Sequence, residues 1–203
     1  GNGFIEYGMG LRAVTLGHAY APVMEAAYRQ MLLGNNFNRP ALIELECARM
    51  LQSLVPSAEM VKFAKDGSSI LTAGIKLARA YTGREMVAIC SESPFFSYND
   101  WFIGLTPMDG GIPPLEKTLT VTFGYNDPES LEALFQRYPG KIAIVLMEPA
   151  RLIEPRDGFL HQVKKIAHDN GAVFMLDETI SGFRFHNGGA QSIYGVTPDL
   201  SCF

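Results

Sequence analysis

Short runs of consecutive apolar residues, separated by helix-like segments, constrain the fold of this chain more than any other feature. Strands are predicted at 60–64, 86–90, 141–147 and 172–176. Helices are predicted at 70–81 and 158–170. Strands that are apolar throughout and alternate with helices are typical of parallel sheets covered on both faces. The sequence therefore predicts an α/β fold, with a mostly parallel sheet flanked by helices.

The chemistry-bearing residues follow the predicted strands. Gly67, Ser68 and Ser69 follow one strand, Glu148 follows another, and Asp177 follows a third. Right-handed crossovers bring the carboxyl ends of parallel strands to one edge of the sheet, where ligands of such sheets bind. We expect these residues to lie along one edge.

The two ends of the chain are predicted to belong to a longer polypeptide. Residues 1–8 suggest a turn and the second strand of a hairpin, and 198–203 suggest a turn entering a new strand. Between them, further helices are predicted at 23–33 and 40–54.

Charge and composition favour a small-molecule partner. The formal net charge is −4, the isoelectric point is about 5.6, and no basic run is interleaved with aromatics, which argues against nucleic-acid binding. The longest strongly apolar run, 142–147, is far shorter than the ~20 residues of a membrane helix. Cys47, Cys90 and Cys202 are odd in number and lie in apolar contexts, which suggests buried thiols in a reducing cytoplasm. The histidines lack metal-ligand spacing, so no metal site is predicted.

Each candidate site residue has two interpretations. Gly67 and Ser68 could hold a phosphate at a helix N-terminus, or the Gly-Ser-Ser at 67–69 could be a plain serine N-cap with a turn glycine. Asp177 follows an apolar strand, where a carboxylate is costly unless a cation or donors meet it, so it could bind a ligand or accept loop N–H groups. Glu148, before Pro149, is open to the same two interpretations. The aromatic residues around Phe95 could stack on a planar cofactor or pack in a core.

Taken together, a phosphate loop, an aromatic stacker and a carboxylate along a parallel sheet resemble a pyridoxal 5'-phosphate (PLP) site. The whole chain resembles the class-III aminotransferases of PLP fold type I, and within them the glutamate-1-semialdehyde aminomutase-like group. The motifs that carry this resemblance are Lys-Asp-Gly-Ser-Ser at 65–69, Leu-Ala-Arg-Ala-Tyr-Thr-Gly-Arg at 77–84, Met-Glu-Pro at 147–149, Leu-Asp-Glu-Thr-Ile-Ser-Gly-Phe-Arg at 176–184, Gly-Gly-Ala-Gln at 188–191 and Tyr-Gly-Val-Thr-Pro-Asp-Leu at 194–200.

The resemblance implies roles for individual residues and an extent for the domain. Residues 1–203 would be the central PLP-binding large domain, with an N-terminal segment and a C-terminal small domain outside them. The residues with an implied role are Gly67 and Ser68 on the cofactor phosphate, Phe95 over one ring face, Thr179 on the other face, Asp177 on the pyridine nitrogen, and Glu148 on the substrate side.

The chain departs from the family pattern at identifiable positions. The usual Tyr-His-Gly is Phe-Phe-Ser at 95–97, the usual acidic residue is Ser69, and the common Val is Thr179. The family's Schiff-base lysine lies in a Gly-Lys expected just after Phe203, so no catalytic lysine is assigned within the chain, and this stretch alone is expected to be inactive.

The resemblance implies a homodimeric, PLP-dependent aminotransferase that moves an amino group from a small-molecule donor to a carbonyl acceptor. A 2,1-aminomutase, which shifts the amino group within one substrate, is the alternative in the same class. A non-catalytic relative that keeps the fold is the alternative from another class, and a nucleotide-binding doubly wound domain is a further one.

Overall fold

A computed structural model describes residues 1–92, 96–150 and 152–203 of the chain. By internal contacts the chain divides into two compact units, Gly1–Arg49 and Met50–Phe203. Phe95, which the sequence suggests as a ring stacker, lies outside the described residues.

The first unit is helical and carries little core of its own. Its helix α1 spans Ala21–Met31, begins with a proline in its first turn and buries none of its residues. Helix α2, Leu42–Leu54, starts in this unit and also buries none of its residues. Residues 1–7 form neither helix nor strand, so the predicted hairpin strand is wrong.

The second unit is built on one parallel sheet. Its strands are β1 (Met86–Cys90), β2 (Thr120–Phe123), β3 (Ile142–Met147), β4 (Val173–Asp177) and β5 (Leu200–Cys202). They lie in the order β2-β1-β3-β4-β5, and every neighbouring pair is parallel. The predicted α/β fold with a parallel sheet is therefore confirmed.

Helices cover both faces of this sheet. They are α3 (Gly67–Thr82), α4 (Asp100–Ile103), α5 (Pro114–Lys117), α6 (Pro128–Arg137), α7 (Phe159–Asp169) and α8 (Ala190–Tyr194). Leu71 and Ile75 of α3 join the buried cluster on one face, whereas Leu131 of α6 and Val163 of α7 join the cluster on the other. Because both faces are covered, all residues of β1, β3 and β4 are buried, which explains their continuous apolar sequences. None of the described helices has the length and apolarity needed to cross a membrane.

Several local predictions differ from the structure. Residues 60–64 form no strand, because a strand needs a hydrogen-bonded neighbour and no described residue pairs with them. Strand β2 and helix α6 are additional to the predicted elements. Helix α3 begins at Gly67 rather than at 70, because the Asp66 side chain caps it by accepting a hydrogen bond from the Ser69 N–H.

The three cysteines are not all alike. Cys90 and Cys202 are buried and form no disulfide, as predicted, but Cys47 is exposed. Cys47 lies on α2, which buries none of its residues, so the apolar neighbours of Cys47 in the sequence do not form a core around it.

A buried carboxylate holds the segment that follows β4. Glu178 is fully buried and accepts hydrogen bonds from the Ser181 hydroxyl, from the N–H groups of Ala190 and Gln191, and from the Gln191 amide. Gly189 lies against it with φ +79°, and a Cβ there would be 2.6 Å from Glu178 Oε1. Glu178 therefore fixes the end of the loop that leads from β4 to α8.

Replacing Glu178 with Gln is expected to loosen this loop. The Gln amide would place a donor against N–H groups that now share a carboxylate, and an unmet buried group costs roughly 1–3 kcal/mol. We expect a lower free energy of unfolding in urea and faster trypsin cleavage after Arg184. Glu132→Gln, on the exposed side of α6, is the matched control and should leave both unchanged. Equal behaviour of the two variants would show that Glu178 does not anchor the loop.

Candidate functional site

Asp177 is the centre of the candidate site. Asp177 is the last residue of β4, where it pairs with Cys202 of β5, and it is only 5% exposed. The Thr179 N–H and the Thr179 hydroxyl both donate to Asp177 Oδ1, at 2.9 and 2.6 Å. Among the described residues no donor lies within hydrogen-bonding distance of Oδ2. One oxygen of this buried carboxylate is thus held by the loop, and the other is left for a ligand.

The environment of Asp177 favours a proton or a cationic partner. Burial raises the pKa of the Asp177 carboxyl above its usual range, the hydrogen bonds from Thr179 oppose that shift, and the charge of Glu178 adds to it. A ligand that brings a charged N–H group to Oδ2 would relieve the cost of this burial.

The N-terminus of α3 supplies a second binding element. The Asp66 cap engages the N–H and hydroxyl of Ser69. Within the described part of the chain, the N–H groups of Gly67 and Ser68 have no hydrogen-bond acceptor. Free N–H groups at the positive end of a helix dipole suit a phosphate. The N-cap is Asp66, so the plain serine cap suggested as an alternative is wrong.

The two elements lie next to each other. A Cβ placed on Gly67 would be 3.4 Å from Thr179 Oγ1 and 3.6 Å from Thr179 Cγ2. The sequence places Gly67 and Thr179 far apart, and the packing of α3 against the sheet brings them into contact range. Residues 60–64 form no strand, so Gly67 does not follow a strand as predicted. The free N–H groups and the buried carboxylate can therefore engage one small molecule.

The remaining predicted residues have different surroundings. Glu148 directly follows β3, is half-buried and has an interaction partner. Of the aromatic residues near Phe95, three are buried in the core against α3 and one is exposed: Phe96, Trp101 and Phe102 are buried, and Tyr98 is exposed. For those three, core packing is the interpretation that the structure supports.

A cluster of hydrogen bonds that sequence analysis missed links residues 98–101 to α3. The Asn99 amide and the Trp101 indole both donate to the Thr72 hydroxyl, each at 2.9 Å. The Tyr98 N–H donates to Ser68 Oγ at 3.3 Å. Only the Asn-Asp-Trp pattern at 99–101, which is typical of a helix start, hints at this cluster. The Ser68 hydroxyl therefore positions the loop, which leaves the Ser68 N–H for a phosphate.

Three of the described lysines have partners outside this centre. Lys117 pairs with Asp109, Lys165 pairs with Asp169, and Lys164 donates to the Thr197 carbonyl. No lysine in the described ranges is a hydrogen-bond or ion-pair partner of Asp177 or Thr179. The same ranges contain no group of three or more His, Cys, Asp or Glu residues arranged to hold a metal ion.

The chemistry of this donor set fits PLP. The cofactor carries a phosphate, which suits the unpartnered N–H groups of Gly67 and Ser68, and a pyridine nitrogen, which suits Asp177 Oδ2. The buried carboxylate needs a partner of this kind, and the N-terminus of α3 lies next to the loop that follows Asp177.

Comparison with known proteins agrees with this geometry. Residues 1–203 match the Aminotransferase class-III family. Glutamate-1-semialdehyde 2,1-aminomutase of Chloroflexus aurantiacus is 35% identical over 216 aligned residues, which include all of this chain and 48% of that protein. The chain thus spans about half the length of the curated relatives that it matches.

Solved structures show the same fold. An ω-transaminase from Sphaerobacter thermophilus is 31% identical, with a TM-score of 0.88 over 96% of this chain and 48% of that one. The FumI protein of Sphingopyxis sp. MTA144, solved in a PLP form, is 28% identical, with a TM-score of 0.90 over 98% of this chain and 49% of that one. With the match over residues 1–203 and the fold shared with the Sphaerobacter ω-transaminase, the chain belongs to the class-III aminotransferase family and has the PLP fold type I architecture.

Proposed function

We propose that the whole protein is a PLP-dependent aminotransferase, which moves an amino group from a small-molecule donor to a carbonyl acceptor. The single observation that carries this proposal is the Asp177 carboxylate, buried at the end of β4 with Oδ1 held by Thr179 and Oδ2 without a donor in the described chain. PLP would supply an electron-accepting ring when bound.

The proposed roles follow from where the residues lie. Asp177 binds the pyridine nitrogen and keeps it protonated, and the N–H groups of Gly67 and Ser68 bind the phosphate. Thr179 lies between these two elements, where it contacts the ring. Phe95 covers the opposite ring face, a role that rests on the family resemblance. Glu148, which follows β3 at the same sheet edge, lies on the substrate side.

We propose that the lysine which binds PLP covalently follows Phe203. The described lysines either have other partners or lie on exposed surface. Strand β5 ends beside Asp177, so the chain after Phe203 starts close to the candidate site. Residues 1–203 act as the PLP-binding large domain in this proposal. They hold the cofactor and orient it, and the amine comes from the following segment.

A 2,1-aminomutase is a second candidate, because the curated relative described above carries that activity in its name. The two activities differ in the fate of the amino nitrogen. With the full-length protein and a 15N-labelled amino donor, transfer of the label to an added keto acid supports the aminotransferase. Retention of the label on the original carbon skeleton, at a new carbon, supports the aminomutase.

We further propose that the protein is a cytoplasmic homodimer. Cys90 and Cys202 form no disulfide, which suits a reducing compartment. Helix α1 exposes several large apolar side chains, and apolar patches of this kind favour association. These side chains are Val23, Met24, Tyr28 and Met31.

Replacing Asp177 with Asn is expected to weaken PLP binding by the full-length apoprotein. Asn keeps the shape of Asp but loses the charge that pairs with the protonated ring nitrogen, and hydrogen bonds to charged groups contribute about 1.5–3 kcal/mol. The dissociation constant, measured by fluorescence titration, should rise by roughly 10- to 100-fold. Asp169→Asn, on the exposed surface of α7, is the control. An unchanged affinity in Asp177→Asn would remove Asp177 from the site.

Reductive trapping tests the position of the lysine. Borohydride treatment of the full-length protein with PLP should fix a pyridoxyl group on one lysine that follows Phe203, mapped by peptide mass spectrometry. Modification of a lysine within residues 1–203 would contradict this placement. The absence of any adduct would favour the non-catalytic relative.

Replacing Met24 with Glu tests the dimer. A charge in an apolar interface is not compensated there, so we expect sedimentation velocity to show a shift from dimer to monomer. Glu25→Gln, the neighbouring exposed residue of α1, should remain dimeric. A dimeric Met24→Glu variant would place the interface elsewhere, and a monomeric wild-type protein would reject the homodimer.

A further inference from the structure

We propose that Cys202 and Thr179 form a hydrogen-bond relay that fixes the Asp177 carboxylate and aims its free oxygen at the cofactor nitrogen. In this relay Thr179 is a positioning residue that acts through its hydroxyl, in addition to any contact with the ring. The inference rests on the proposed PLP function. It adds a role for the Thr179 hydroxyl and gives one to Cys202, which the proposed function does not otherwise use.

The geometry fixes the direction of the relay. Thr179 Oγ1 lies 2.6 Å from Asp177 Oδ1 and 3.5 Å from Cys202 Sγ. An ionised carboxylate can only accept, so the single hydroxyl hydrogen of Thr179 points to Asp177. The lone pairs of the hydroxyl oxygen then accept from the Cys202 thiol. The order is thiol to hydroxyl to carboxylate.

Cys202 is suited to the far end of this relay. Burial and the nearby Asp177 charge raise the pKa of the Cys202 thiol to about 12, so the thiol keeps its proton at neutral pH. The Cys202 carbonyl accepts from the Glu178 N–H at 2.7 Å, and Cys202 faces Asp177 in the β4–β5 register. The backbone therefore holds the thiol in place beside Thr179.

The relay is needed because Asp177 has few other sources of stabilisation. Of the ionisable groups that act on it in the described chain, Glu178 is an anion that raises its pKa, and Cys202 is the protonated thiol of the adjacent strand. On β3, Met147 pairs with Leu176, the residue before Asp177, and Met147 cannot ionise. On α3, the residue that approaches Thr179 is Gly67, which has no side chain to ionise. The two hydrogen bonds from Thr179 are the interactions that lower the Asp177 pKa.

Position 179 offers a matched pair of variants. Val has the shape of Thr without the hydroxyl, and Ser has the hydroxyl without the methyl group. Thr179→Val therefore removes the relay and keeps the apolar contact, whereas Thr179→Ser keeps the relay and removes the contact. A role confined to packing against the ring predicts the opposite ranking of the two variants.

The experiment measures PLP affinity of the full-length apoprotein between about pH 5 and 8. PLP binding needs ionised Asp177, so affinity falls as pH drops through the pKa of that carboxyl. Thr179→Val should weaken PLP binding at pH 7.5 by about tenfold, the effect of one hydrogen bond to a charged group. The acid limb is the part of the plot of affinity against pH where PLP affinity falls at low pH. Thr179→Val should move this acid limb to higher pH, because losing the hydrogen bond raises the Asp177 pKa. Thr179→Ser should stay within about threefold of wild type, with the acid limb unmoved.

The thiol is tested in the same assay. Cys202→Ser keeps a donor and should match wild type, whereas Cys202→Ala removes the donor and should move the acid limb in the same direction as Thr179→Val, by less. Wild-type behaviour of Cys202→Ala would overturn the part of the relay beyond Thr179. If Thr179→Val does not fold, as judged by circular dichroism, Thr179→Ala against Thr179→Ser gives the same comparison.

The controls separate this inference from the function on which it rests. If wild-type protein does not bind PLP, or Asp177→Asn binds it equally well, the proposed function fails. If Asp177→Asn weakens binding while Thr179→Val binds like wild type with an unmoved acid limb, the function stands and the relay is rejected. Loss of affinity in Thr179→Val with an unmoved acid limb also rejects the relay, because the hydroxyl would then act on PLP binding without acting through the Asp177 carboxyl.

Discussion

The burial of the Asp177 carboxylate at the end of β4 is the constraint on which the site depends. A carboxylate with 5% exposure cannot rely on water, so the structure must supply donors or the group must take a proton. The loop supplies two donors from Thr179, both to one oxygen. The other oxygen, Oδ2, has no donor within the described chain. The cost of burying this carboxylate would fall if a ligand brought a charged N–H group to Oδ2.

The next residue shows how differently the same chemical group can act one position further along. Glu178 is also buried, but the Ser181 hydroxyl, the Gln191 amide and two N–H groups at the start of α8 surround it, so it needs nothing from a ligand. It closes the loop from β4 to α8, and the Cys202 carbonyl accepts its N–H. Two sets of contacts therefore hold Asp177 in place. The next residue, Glu178, is anchored by its hydrogen bonds, and Asp177 Oδ1 accepts hydrogen bonds from Thr179. Preorganisation of this kind lets a site bind without first ordering its loops.

Sequence patterns predicted the parts of this structure that depend on burial alone. The strands at 86–90, 142–147 and 173–176 are apolar because both sheet faces are covered, and that signal needs no knowledge of partners. Residues 60–64 have a similar local pattern but form no strand, because pairing is a tertiary property that no local pattern contains. The position of Asp177 at a strand end was predictable from topology, whereas Gly67 follows no strand and reaches the site through α3. The Asn99 and Trp101 contacts with Thr72, and the thiol of Cys202 beside Thr179, were not, because each joins residues far apart in sequence.

The departure from the family pattern at position 179 acquires a physical meaning from these contacts. A Val there would fill the same space against Gly67 but could not donate to Asp177. The chain combines Thr179, which donates to Asp177 Oδ1, with a buried thiol on the adjacent strand beside the Thr179 hydroxyl. A hydroxyl so placed lowers the pKa of a carboxyl that burial raises, and so it favours the charged form that a protonated ring nitrogen requires. Residue 179 therefore changes the pKa of Asp177 without changing the shape of the site. Exchange of Val for Thr at this position can alter the charge of the site while the fold stays the same.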